Sequence, residues 1–243
     1  MAMPLAARQY ERTLIALGNP QRAAFAQRFF KTGAGEYGEG DRFLGLRVQQ
    51  VRAEVARAMR ELGNNRLEVA LSLLRSPVHE IRLFAVLMLV KLFQCSSTEL
   101  QQRVYESYLA NTQFINNWDL VDGSAEHILG VWLADKRRAP LIYLARSKSV
   151  WERRMAIMAT FHYIKNGEYT ETLQLAKVLL EDEEELIHKA VGWMLREVGK
   201  RIDRQVEEDF LKVYYRMMPR TMLRYAIEHF PKSRRKQYLA GSV

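Results

Sequence analysis

Apolar residues recur at three- and four-residue spacing along almost the whole chain. The stretches "EIRLFAVLMLVKLF", "VWERRMAIMATFHYI", "ETLQLAKVLLEDEEELIHKAVGWMLREVGK" and "RTMLRYAIEHF" each carry this period, and alternating strand-like runs bounded by turns are missing. The spacing predicts helix throughout. Punctuation is brief: "GNP" at 18–20, "GNN" at 63–65, "SP" at 76–77, "NG" at 166–167 and "MP" at 218–219. Connections this short imply antiparallel neighbouring helices. Within "FINNWDLVDGSAEHILG", which reads as a buried helix, Trp118 and Asp122 are four residues apart and so point to the same side, while Asp119 should face elsewhere.

Aligning the helices that carry a basic residue just before a small one exposes a repeat. Arg82 precedes Ala85 by three, Arg153 precedes Ala156 by three, Lys189 precedes Gly192 by three, and Arg224 precedes Ala226 by two. The basic residues are separated by 71, 36 and 35 positions, and half of 71 places a missing member near position 118. A period near 35 with two helices per unit marks an α-solenoid of HEAT-like type. The expected architecture is thus all-α, a curved single domain over residues 1–243 with one helix of each pair lining a concave face. Basic residues at equivalent positions would form a ladder there that could track a phosphate backbone; equally, they could bond within or between repeats. Trp118, Trp151 and Trp193 fall on successive repeat-equivalent helices. A lone tryptophan usually belongs to a core, whereas three on one face could line a cleft.

Charge sharpens the choice of partner. There are 37 Lys and Arg against 28 Asp and Glu, a formal charge of +9 and a pI of about 9.7. That balance favours an anionic partner such as nucleic acid or a membrane surface. With hydrophobic residues at 48%, a continuous core is within reach, and no run approaches the length of a membrane span. The single Cys95 rules out an internal disulfide and any multi-cysteine metal site and suits a reducing cytosol; the first residues lack the apolar core of a signal peptide. A cytoplasmic monomer is expected.

Several motif matches fail on context. "GAGEYG" at 33–38 satisfies G-x-G-x-x-G, but a helix-like "FAQRFFK" precedes it where a dinucleotide site needs a strand, and Glu36, Glu39 and Asp41 would repel phosphate. "HEIRL" at 79–83 opens like a zinc-protease helix but has leucine in place of the second histidine. The five histidines are scattered, and none joins a serine or cysteine in a nucleophile motif.

The segments "FLGLRVQQVR" at 43–52, "NNWDLVD" at 116–122, "SVWERRMAIM" at 149–158 and "HKAVGWMLREVGKR" at 188–201 together resemble the bacterial DNA alkylation repair glycosylases of the AlkD type, which are built from HEAT-like repeats. The resemblance covers most of the chain. It implies that Trp118 and Trp193 flank a damaged nucleotide, that Asp122 is the essential carboxylate and that Arg154 holds a backbone phosphate. Arg47 falls where the best-known member has a polar amide near the DNA, and "KTGAGEYGEGDRFLGL" is longer and richer in glycine than its counterpart there. Arg82, Arg153, Lys189 and Arg224 become candidate backbone contacts, together with the tail "KSRRK". The implied activity is monofunctional excision of cationic N-alkylpurines, 3-methyladenine and 7-methylguanine, from double-stranded DNA, without metal or organic cofactor. The alternative is a non-catalytic paralogue that binds branched or distorted DNA; a third reading is a HEAT-like protein scaffold.

Overall fold

The computed structural model describes residues 3–243, which fold as an all-α helical-repeat protein without a β-strand among them. A lone parallel bridge joins Arg42 to Val78. Packing groups the chain into two compact units, Met1–Ser124 and Ala125–Val243.

The first unit holds α1 (Leu5–Ala16), α2 (Pro20–Phe29), α3 (Val48–Glu61), α4 (Arg66–Leu73), α5 (His79–Gln94), α6 (Thr98–Leu109) and α7 (Trp118–Asp122). Over residues 83–90 helix α5 is apolar on every side, so this stretch can only be stable in the middle of the unit. There it packs against α1, α3, α4, α6 and α7, and Ile81, Phe84, Ala85, Met88 and Leu89 are fully buried. Each of the four larger side chains contributes roughly 1.5–3 kcal/mol by leaving water. The "GNP" signal works as expected: the Asn19 side chain caps α2 by accepting from the Arg22 amide, and Pro20 occupies the first turn.

The second unit begins with a π-turn at Glu126–Gly130 and continues with α8 (Ala139–Ala145), α9 (Val150–Ala159), α10 (Phe161–Lys165), α11 (Thr170–Val178), α12 (Glu185–Arg201), α13 (Arg204–Tyr214), α14 (Arg220–Ala226) and α15 (Lys232–Ala240). Helix α12 is its centre and touches α9, α10, α11, α13 and α14. Its tightest crossing is with α14, where a Cβ on Gly192 would collide with the Met222 carbonyl and Tyr225. Ala85, Ala156 and Ala226, the other small residues of the repeat, are fully buried. The small position of the repeat is therefore explained by close packing.

The basic position is explained by hydrogen bonding. Arg82 sends Nη1 to the carbonyl of Ser76, six residues back, at 3.0 Å, and Arg153 does the same to Ser147 at 3.0 Å. Each also grips an aspartate: Arg82 pairs with Asp41 at 2.6 Å and Arg153 with Asp182 at 2.6 Å. In the next repeat the neighbour of Lys189 takes the part, His188 bonding to the carbonyl of Asp182, again six back. The long apolar run 171–200 divides into α11 and α12 at this point, because Asp182 accepts from both Arg153 and the Glu184 amide and so holds a turn between them. A helix begins at position 118, where the repeat spacing calls for one, but it lasts a single turn and a half before Gly123.

Candidate functional site

Asn117 is fully buried and extended, and its side chain accepts from the Trp118 amide at 2.8 Å, which starts α7. Trp118 and Asp122 are the first and last residues of this short helix, both half-buried. The carboxylate of Asp122 raises the pKa of the buried Tyr108 phenol, after the larger effect of burial itself; that phenol bonds Ser124 at 2.7 Å. Asp119 points the other way, accepting from His79 Nε2 at 2.8 Å.

That last contact belongs to a charged network behind α7. His79 is 1% exposed and bridges Asp119 and Asp41, the second at 3.3 Å from Nδ1. Asp41 also accepts from Arg82 and, at 3.1 Å, from the Nδ2 of Asn117. Two cations thus face two carboxylates. Burial opposes a charge on His79, but the hydrogen bonds to Asp119 and Asp41 outweigh it and lift its pKa from 6.5 to about 9, so the ring is an imidazolium at neutral pH. Burial opposes the charge on Asp41 as well; the hydrogen bond from His79, the charge of Arg82 and the bond from Asn117 win, and its pKa is lowered. The imidazolium packs beside two rings that also stack on each other at 5.0 Å, with centroids 4.6 Å from Phe43 and 4.8 Å from Phe30. Phe30 in turn stacks on Trp118 at 5.4 Å and 15°. One network of ion pairs, a cap and stacked rings therefore fixes the orientation of Trp118.

The glycine-rich segment is tied to the same place. Glu80, next to His79, is buried and accepts from three consecutive amides, Leu44 at 2.9 Å, Gly45 at 2.7 Å and Leu46 at 3.2 Å. The loop acids have internal work too: Glu36 accepts from the Gly33 amide and Glu39 from the Gly35 amide. With its amides engaged by carboxylates and a helix in front of it, "GAGEYG" is a turn and not a phosphate cradle.

The remaining candidates lie in the second unit. Trp193, half-buried on α12, donates Nε1 to Glu197 at 3.3 Å and tilts against Phe161 at 5.9 Å. Burial raises the pKa of Glu197, but the hydrogen bond and charge of Arg201 prevail and keep it low. Arg154 on α9 is 5% exposed and donates Nη1 to the Leu186 carbonyl at 2.5 Å. Trp151 is buried in the core of this unit.

The basic ladder expected along one face divides on inspection. As a phosphate contact Arg82 must be withdrawn: it is 3% exposed and bound to Asp41 and Ser76. Arg153 is committed to Asp182 and to the carbonyls of Ser147 and Lys148. Lys189 pairs along its own helix with Glu185 at 3.1 Å, both partly exposed, which leaves it open to exchange partners. Arg224 and Arg47 are exposed. Among the described residues no cluster of histidine, cysteine or acidic side chains could hold a metal, and no helix is long and apolar enough to cross a membrane.

His79, Asp41, Asn117 and Phe30 were missed by sequence reasoning. The available signal was the cluster "HEIR" directly before the apolar run 83–90, since charges placed there must find buried partners.

The family described as DNA alkylation repair enzyme matches residues 10–230. Among solved structures, a predicted DNA alkylation repair enzyme from Enterococcus faecalis superposes with a TM-score of 0.69 at 19% identity, over 88% of this chain and 97% of that one, a likeness of fold. No curated protein matches the sequence significantly.

Proposed function

Because the chain belongs to the DNA alkylation repair enzyme family, we propose that it is a monofunctional DNA glycosylase that removes cationic N-alkylpurines, such as 3-methyladenine and 7-methylguanine, from duplex DNA. The observation that supports this reading is that Trp118 and Asp122, one helical turn apart, are both half-exposed on a short helix fastened by the Asn117 cap and by the bond between His79 and Asp119. The chemistry asks for little more. A purine alkylated at N3 or N7 already bears a positive charge and departs as a neutral base, so no general acid is required. What remains is a developing oxocarbenium-like sugar and an incoming water, and one ionised carboxylate held in place can stabilise the first and orient the second.

Asp122 takes that part. Trp118 holds the lesion nucleotide beside it, its indole face favouring a cationic base over a neutral one by roughly 0.5–2 kcal/mol, and the half-buried indole of Trp193 in the second unit offers a cation the same attraction. The exposed Arg47 and Arg224, with Lys189, serve the phosphates. No Schiff-base lysine enters a monofunctional mechanism.

Chromatography of free base released from methylated duplex DNA tests the reading. Wild type should liberate 7-methylguanine or 3-methyladenine, and Asp122→Asn should lose roughly a hundredfold or more in rate while still binding DNA. Release by the variant at the wild-type rate would remove Asp122 from the chemistry. Binding by wild type without any release would instead favour a non-catalytic DNA binder.

A further inference from the structure

Helix α2 buries none of its ten residues. Helices in folded proteins ordinarily owe their stability to a packed apolar face, whereas α2 is held by the Asn19 cap, by Pro20 and by Arg22, whose Nε donates to the Gly45 carbonyl at 2.8 Å. Its two large apolar side chains nevertheless stand in the open. Phe25 is 64% exposed and Phe29 56%, one turn apart, with their rings stacked at 6.3 Å and 15°. The row does not end with the helix: Phe29 meets Trp118 edge to face at 6.1 Å, next to the Phe30 ring that stacks on the same indole.

The surroundings indicate what would cover this shelf. The other side chains of α2 are Pro, Ala and Gln together with Arg22 and Arg28, and there is no acidic residue among the ten. Lys31 follows, exposed. Flat π faces flanked by cations match a nucleobase carried on phosphates: every base has a face that stacks on an aromatic ring, and the neighbouring phosphates are drawn to arginine and lysine. A lipid surface would ask for a broader apolar face than two rings provide. We propose that Phe25 and Phe29 are a stacking platform for an unstacked nucleobase of the bound DNA, adjoining Trp118. This rests on the reading of the chain as a DNA-binding protein, and is independent of whether it excises bases.

Fluorescence anisotropy with two single-stranded probes of equal length and charge, an oligothymidylate and its abasic counterpart, separates stacking from charge. In the Phe25→Ala/Phe29→Ala double variant, affinity for oligothymidylate should fall about ten-fold, while affinity for the abasic strand and the salt dependence of both stay as in wild type. Phe25→Leu/Phe29→Leu, which keeps apolar bulk without π faces, should show the same selective loss. Since both rings are exposed, circular dichroism should report an unchanged fold.

Equal loss on both probes, or no loss on either, would overturn the platform. So would a double variant that binds both strands normally but no longer self-associates in sedimentation or no longer binds phosphatidylglycerol vesicles, which would assign the shelf to a second copy of the chain or to a membrane. The same measurements on Asp122→Asn keep the two proposals apart. Selective loss in that background, with excision absent in wild type, would defeat the glycosylase reading alone.

Discussion

At the scale of single residues, the chemistry of the candidate site depends on groups that never touch a substrate. Gly45 has φ of +75°, and a Cβ there would run into the Asn19 carbonyl and the Ala23 amide. Its own amide is one of the three held by Glu80. Gly45→Ala should therefore destabilise the protein by about 2–4 kcal/mol through both strain and collision, which urea unfolding measures; a loss under 1 kcal/mol would show that the backbone can shift without cost. The motif "FLGL" was visible in the sequence as a match to a family pattern, but the reason for its glycine was not, because the residues that crowd it come from α2. Trp118 and Asp122 were legible as a pair since helical spacing alone places them together. The partners of His79 were not, since Asp41 and Asp119 lie 38 and 40 residues away and only tertiary structure pairs those charges.

At the scale of elements, the repeat read from the sequence is real, but its basic position is largely a joint. Arg82 and Arg153 each fasten a helix to the turn six residues before it and to a buried or half-buried aspartate. Removing Arg82 would leave Asp41 buried with less than its full complement, so Arg82→Ala should cost about 3–5 kcal/mol of stability. It should not alter the slope of DNA affinity against salt, whereas Arg224→Ala should leave stability unchanged and reduce that slope by about 1 if Arg224 meets a phosphate. Salt titrations of the two variants check this, and a reduced slope in Arg82→Ala would restore it as a DNA contact. Helix α5 could be delimited from the sequence within a residue, because a run apolar on every side has one place to go. The single run 171–200 could not be divided, because the turn between α11 and α12 is made by Arg153, 29 residues before its partner Asp182. The segment "FAQRFFK" reads as helix from its sequence, and only the structure shows that Phe25 and Phe29 stand exposed on it.

At the scale of the whole molecule, each unit buries one acid or histidine with a raised pKa, His79 in the first and Glu207 in the second, and both act in the same direction. His79 moves from 6.5 to about 9, and burial pushes Glu207, on α13, from 4.5 to about 8, the charges of Arg204 and Arg196 opposing and that of Glu208 adding to the rise. A raised folded-state pKa means that the native state binds more protons than the unfolded one between the two values, so stability falls as pH rises across that interval. His79 stability is complete below about 6.5 and lost through 9; that of Glu207 is complete below about 4.5 and lost through 8. The melting temperature should drop by roughly 5 °C or more between pH 6.5 and 9. Glu207→Gln should melt above wild type at pH 9 and close to it at pH 4.5, while His79→Gln should be less stable than wild type at pH 6 and approach it at pH 9. A flat profile in wild type would contradict both assignments. The buried carboxylate of Glu80 has a consequence of another kind. The amides of residues 44–46 find their acceptor 34 to 36 positions further along the chain, so shaping this segment carries the entropy cost of closing that loop. Segment and helix start should therefore open and close together, which equal hydrogen-exchange protection of the amides of residues 44–46 and of the first turn of α5 would report.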